Sequence, residues 1–199
     1  RNYKVPDNVG VIGNIVDVFR KDIYPGEILI ENTRIVQIRK ISSKPDGYIL
    51  PGLVDSHIHI ESSMLTPQHF SRIAVSHGTV STVSDPHEIA NVLGIDGVRY
   101  MIRNAKLAKV KFYFGAPSCV PATSFESSGA EINAEDIKLL FTEEKLGFLS
   151  EMMNFPGVIN KDKNVLEKLY LAKKYNKKID GHSPGLRGDD LDRYIEEGI

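Results

Sequence analysis

Beyond residue 50 the chain repeats one pattern five times: a short apolar run, a loop, then an amphipathic stretch. The runs that read as strands are 48–58, 79–84, 110–116, 146–151 and 178–182. Between them, apolar residues fall at helical spacing. Phe70, Ile73, Ala74 and His77 sit at i, i+3, i+4 and i+7, as do Val98, Met101, Ile102 and Ala105. Ile137, Leu140 and Phe141 make a shorter stripe, with Asn133 placed to cap it and Glu135 and Asp136 in its first turn. Val165, Leu169 and Ala172 line another, and Leu191, Tyr194 and Ile195 a last one that Gly198 ends. Repeated strand–helix units imply a parallel sheet with crossover helices, an α/β fold. Doubly wound sheets and (β/α)8 barrels both begin this way, although a barrel typically takes ~250 residues and this chain has 199.

Residues 1–49 follow a different rule. GVIGNIVDVF, GEILIEN and RIVQIRKI are short runs broken by PGE and ENT, which read as small antiparallel strands with tight turns. The expected organisation is therefore a small β region over 1–49, part of a sandwich, and an α/β domain over 50–199. A formal net charge of -1 and 41% hydrophobic residues suit a globular protein with a core, and give no support for nucleic acid or a membrane as partner. The single cysteine, Cys119, excludes an internal disulfide framework and suits a reducing compartment, here the cytoplasm.

The chemistry gathers at the carboxyl ends of the predicted strands, where α/β sheets bind ligands. In HIHIESSM, His57 and His59 are two residues apart and so project from one face of a strand, able to converge on one ion. Asp55 and Glu61 share their parity and could orient them. The fourth run ends on Glu151 and the fifth on His182, on the same rim. Three imidazoles and a carboxylate suit zinc, manganese or iron(II) rather than calcium or magnesium. A carboxylate set between histidines can bridge two ions ~3.5–4 Å apart.

The second run ends in VSDPHEIAN, where Pro86 stops the strand and Asp85, His87 and Glu88 crowd the turn. Glu88 or His87 reads as a proton-transfer group facing the substrate, with Asp85 beside it at the pocket wall. Asp85 as a turn cap and Glu88 as a first-turn helix acid are the structural alternatives. The third run leads into FYFGAPSCVPATSFESSG, an irregular loop whose Ser118 and Glu126 could line the pocket or simply make loop hydrogen bonds. Cys119 has no basic neighbour in sequence to activate it as a nucleophile.

PGLVDSHIH resembles the first-strand signature of the amidohydrolase superfamily, whose members are metal-dependent (β/α)8 barrels. Within it, HIHIESSM, SDPHEIANVLG, SEMMNFPGV and GHSPGL in this order resemble the adenine deaminases, from about residue 14 to the end. The resemblance implies a partial (β/α)8 barrel of about five β/α units, flanked by part of a small N-terminal β-sandwich. It implies a binuclear divalent centre (manganese, iron or zinc) with His57 and His59 on one metal, Glu151 bridging and His182 on the second. Adenine would be the small-molecule partner, in purine metabolism, and the protein a homo-oligomer. The family also draws a histidine from a sixth strand and an aspartate from an eighth, and this sequence contains neither strand. The expectation is a piece of a longer polypeptide, without a competent site of its own.

The implied reaction is hydrolytic deamination of adenine to hypoxanthine and ammonia. A metal lowers the pKa of water from ~15.7 toward ~7, so hydroxide can attack the ring carbon bearing the amine. Glu88 would deliver a proton to the ring as the attack proceeds. Two other readings compete. A cyclic-amide hydrolase of the dihydroorotase or hydantoinase kind shares D-x-H-x-H, but such enzymes carry lysine where this chain has Glu151. A catalytically silent barrel kept for binding has no reason to retain His57, His59, Glu151 and His182 together.

Overall fold

The computed structural model describes residues 8–123 and 125–199, so residues 1–7 of the expected β region and residue 124 of the long loop lie outside the described residues. The chain divides into two compact units, one ending at Gly52 and one spanning Leu53–Ile199.

In the first unit, β1 (Asn8–Asp17), β2 (Asp22–Glu31) and β3 (Arg34–Lys40) form an antiparallel meander, as the period-two runs predict. The short β4 (Tyr48–Ile49) adds to the other edge of β1, but in parallel, giving the order β3-β2-β1-β4. That pairing departs from the all-antiparallel expectation. A parallel partner needs a connection that crosses back, and the loop between β3 and β4 supplies it. Ile15 and Ile28 are buried, whereas every residue of β3 is exposed.

In the second unit the strands are β5 (Leu53–Ile58), β6 (Thr79–Ser84), β7 (Lys111–Phe114), β8 (Ala116–Pro117), β9 (Phe148–Met152) and β10 (Lys178–Gly181). They form two parallel sheets, β5-β6-β7 and β10-β9-β8. The predicted single run 110–116 is thus two strands, and the change of partner happens at Gly115. Its N–H donates to the Ser84 carbonyl at 3.0 Å on the β6 side. On the other side a Cβ would meet the Phe148 ring at 2.5 Å and the Ser150 Cβ at 2.7 Å. Only glycine allows β9 to come so close there. Five successive strand segments therefore run parallel, in chain order.

The helices are α1 (Pro67–Ala74), α2 (His87–Ala105, kinked at Gly94), α3 (Ala134–Thr142), α4 (Phe155–Ile159), α5 (Lys163–Lys174) and α6 (Asp189–Glu196). Asn133 caps α3 as expected. Its side chain accepts from the N–H groups of Glu135 and Asp136, and Asp136 returns a bond to the Asn133 N–H. The stripe residues Val98, Ile137, Leu140, Leu169 and Ala172 are buried in one core with Ala116, Leu149, Met152 and Val158. The five-residue α4 has no apolar stripe in the sequence that would predict it. It starts where Asn154 caps Pro156-containing turns, its side chain accepting from the Gly157 N–H. Among the described residues no helix is long and apolar enough to cross a membrane.

Candidate metal centre

β9 is buried along almost its whole length, and Glu151 near its carboxyl end is 4% exposed. A carboxylate removed from water needs cationic or hydrogen-bonding partners. Here each oxygen faces its own set of imidazoles. Oε1 lies 3.2 Å from His57 Nε2 and 2.9 Å from His182 Nδ1. Oε2 lies 3.2 Å from His59 Nε2 and 3.8 Å from His87 Nδ1. All four residues expected as ligands, His57, His59, Glu151 and His182, are thus brought together from the ends of β5, β9 and β10.

Asp85 and His87, read from sequence as pocket residues, stand inside the same group. One ligand atom each from His59, Asp85, His87 and Glu151 lies within 4.8 Å of the others. Asp85 Oδ2 is 3.1 Å from His87 Nδ1, yet out of hydrogen-bond alignment. Both Asp85 carboxylate oxygens and His87 Nδ1 are buried without a hydrogen-bond partner. Orphaned buried polar atoms are costly, about 1–3 kcal/mol each. A cation among them would satisfy the whole set, so the donor set fits a divalent metal.

The tautomer of His59 supports the same use. Its Nδ1 lies 3.1 Å from the Asp85 carbonyl oxygen, which can only accept, so Nδ1 carries the proton. The Nε2 lone pair is then free to face the cluster, and His57 Nε2 points at the same place, 3.2 Å from it. Burial works to lower the pKa of His87, but the carboxylates of Asp85, Glu151 and Glu88 together outweigh it and the net shift is upward. Asp180, next to the rim on β10, is pushed up by burial.

The remaining expected residues are placed around this group. Glu88 lies in the first turn of α2 and accepts a bond from Ser62 Oγ at 2.7 Å. Ser62 belongs to a 3₁₀ turn over Ile60–Ser63, so Glu61 leaves the strand and its parity with His57 and His59 is lost. Glu61 Oε1 instead accepts the Ile89 N–H at 3.3 Å, and burial pushes its carboxyl above the ordinary range. Asp55 accepts the backbone N–H of His57 at 3.2 Å, a bond to the main chain rather than to an imidazole. Ser118 and Glu126 stand apart from the histidines. Ser118 is buried and donates to the Glu151 carbonyl at 2.6 Å, bracing the strand. Glu126 accepts from Thr123 Oγ1 at 2.8 Å within the loop. Both line a separate polar cavity with Asn133, Asn154 and the buried Lys168. Cys119 is buried and its thiol is pushed up by that burial, which agrees with its exclusion as a nucleophile.

Sequence reasoning missed Ser62, whose role depends on a contact 26 positions away in the chain. It also missed Lys168, which reaches the Ser118 carbonyl at 2.8 Å from α5. Neither residue type carries a signal by itself, since serine and lysine are ordinary on turns and helices.

The chain is 57% identical over 186 residues to the adenine deaminase of Sulfurovum sp. (strain NBC37-1), covering 94% of this chain and 35% of that protein. It is 54% identical over 187 residues to the adenine deaminase of Methanosarcina barkeri, covering 94% and 34%. The chain therefore spans about a third of the length of the curated relatives it matches. Among solved structures, N-acetyl-D-glucosamine-6-phosphate deacetylase from Mycobacterium smegmatis superposes with a TM-score of 0.59 at 13% identity, over 96% of this chain and 54% of that one, and so shares its fold. The pattern of the amidohydrolase family matches residues 48–199. This chain belongs to the amidohydrolase family.

Proposed function

We propose that the protein of which this chain forms a part deaminates adenine hydrolytically, giving hypoxanthine and ammonia at a binuclear divalent metal centre. The observation that carries the reading is Glu151, whose two oxygens each face a separate group of imidazoles. His57 and His182 flank Oε1, and His59 and His87 flank Oε2. That arrangement would let the carboxylate serve two divalent ions at once. Adenine as the substrate rests on the relatives' names and on their 57% and 54% identity to this chain over 186 and 187 residues. We read the five parallel strand segments as an arc of a (β/α)8 barrel over residues 50–199, and the sheet before it as part of a small sandwich. The nitrogen- and oxygen-rich donor set suits manganese, iron or zinc. The same reading makes the protein a cytoplasmic homo-oligomer of purine metabolism.

When bound, the metals lower the pKa of water toward ~7 and so make a nucleophile available at neutral pH. The chain's own residues then hold and move protons. His59, fixed by the Asp85 carbonyl, keeps its Nε2 lone pair toward the cluster. Glu88, held by Ser62, delivers a proton to the purine ring as the water oxygen bonds to the amine-bearing carbon. The proton of the added hydroxyl passes to the amino nitrogen, the carbon–nitrogen bond breaks, and ammonia departs to leave the ring carbonyl, while the proton released when the next water ionises returns Glu88 to its acid form. Ammonia release from adenine by the full-length protein, purified from manganese-supplemented cells, tests this. Release with stoichiometric hypoxanthine supports it. Two metals per chain without release would move the substrate to another ring, with a cyclic amide next to be assayed.

A further inference from the structure

The ladder between β9 and β10 is regular at first, with Lys178 opposite Phe148 and Ile179 opposite Leu149, and then shifts register before Gly181, which lies opposite Met152. A register shift leaves ladder groups without their regular partners. Tyr194, on α6, fills the gap. Its hydroxyl donates to the Met152 carbonyl at 2.7 Å and accepts the His182 N–H at 2.9 Å. One phenol oxygen therefore stands between the two strands where a backbone bond would otherwise join them.

The surroundings leave it little choice. Tyr194 is 3% exposed and Met152 fully buried, so water does not compete for these bonds. Gly181 makes room for the hydroxyl, since a Cβ there would come within 3.2 Å of it. The two backbone groups it joins belong to the residue after Glu151 and to His182 itself. Those two side chains meet across the same gap, His182 Nδ1 at 2.9 Å from Glu151 Oε1.

We propose that Tyr194 is a positioning residue for the metal centre, its hydroxyl setting the separation of the strand ends that carry Glu151 and His182. The inference rests on the metal-centre reading above but not on the identity of the substrate. A simple core tyrosine would need only its ring. A positioning tyrosine needs its oxygen, because the spacing of the two strand ends is set by two hydrogen bonds to one atom.

Tyr194→Phe in the full-length protein separates these roles, since it keeps the ring and removes the oxygen. Divalent-metal affinity, read by competition with a chromogenic chelator, should fall ~10–100-fold, as for other residues that orient a ligand. The visible absorption of the cobalt(II)-loaded protein should change, and kcat should fall while KM stays within about twofold. Ile137→Val, in the core but away from the histidines, serves as the comparison for lost stability and should leave affinity and spectrum as in the wild type. If Tyr194→Phe does not fold, Gly181→Ala crowds the hydroxyl without removing it and carries the same expectation. A folded Tyr194 variant with wild-type metal affinity and cobalt spectrum overturns the proposal. A wild-type protein that takes up no divalent metal overturns the metal-centre reading and this inference with it. Metal uptake without adenine turnover overturns only the substrate, and affinity and spectrum then decide the role of Tyr194.

Discussion

Strands β3 and β9 each carry three apolar residues and meet opposite fates. In β3, Ile35, Val36 and Ile38 are 50–59% exposed, with Arg34, Arg39 and Lys40 around them. In β9, Leu149, Ser150, Glu151 and Met152 are all buried between a parallel neighbour on each side and helices packed on the sheet. A half-covered strand leaves its charged residues in water, where they cost nothing and do little. A strand buried on both faces forces a charge at its end to find partners. Glu151 is that charge, and four histidines converge on it.

The sharpest way to break this contrast is to remove the charge. Glu151→Ala in the full-length protein should empty the centre of metal and lower turnover by ~10⁴-fold or more, about 5.5 kcal/mol of transition-state stabilisation. Metal analysis alongside the rate would check it, and retained metal would mean that the histidines suffice without the carboxylate. Glu88→Gln probes a residue near the centre but outside it. Turnover should fall by ~10²–10⁴-fold with metal content unchanged. Wild-type turnover in that variant would assign the proton transfer elsewhere.

Stability tests the two strands directly. Leu149→Ala should cost about 2–5 kcal/mol in denaturant unfolding, because Leu149 is fully buried. Ile38→Ala, at a position 50% exposed, should stay within about 0.5 kcal/mol. A loss at Ile38 as large as that at Leu149 would mean that its sheet face is covered in the full-length protein. The smallest effect is at the surface. Lys161 and Lys173 hold the Glu197 carboxyl below its ordinary value of 4.5. A folded pKa below the unfolded one adds stability above pH 4.5 that is lost as pH falls through the folded value. With the pair largely in solvent, this contribution is at most about 1 kcal/mol. Glu197→Gln should remove that part of the acid dependence, and an unchanged acid limb would show that the pairs are screened.

Much of the site was legible because its signals are local. His57 and His59 share a strand face by parity alone, and Glu151 and His182 each close an apolar run. The capping of α3 by Asn133 was equally readable, since a cap and its first-turn acids lie within four residues. Parity failed one step later, at Glu61, because the chain turns into a 3₁₀ helix after His59 and a turn does not keep a strand's alternation. The division of the run 110–116 at Gly115 was hidden for another reason. Nothing in FYFGAP states that one edge pairs with β6 and the next with β9.

The sequence by itself determined the alternation of strand and helix beyond residue 50 and the four ligand candidates, because periodicity and strand-end position act over a few residues. Only the tertiary structure decided that Asp85 and His87 join the cluster, that Ser62 holds Glu88, and that Tyr194 stands between β9 and β10. Each of those is a contact across 12 to 64 positions of chain, made where one element packs against another. Hydrogen bonds of that reach depend on where whole elements come to rest, and no local pattern of residue types encodes it.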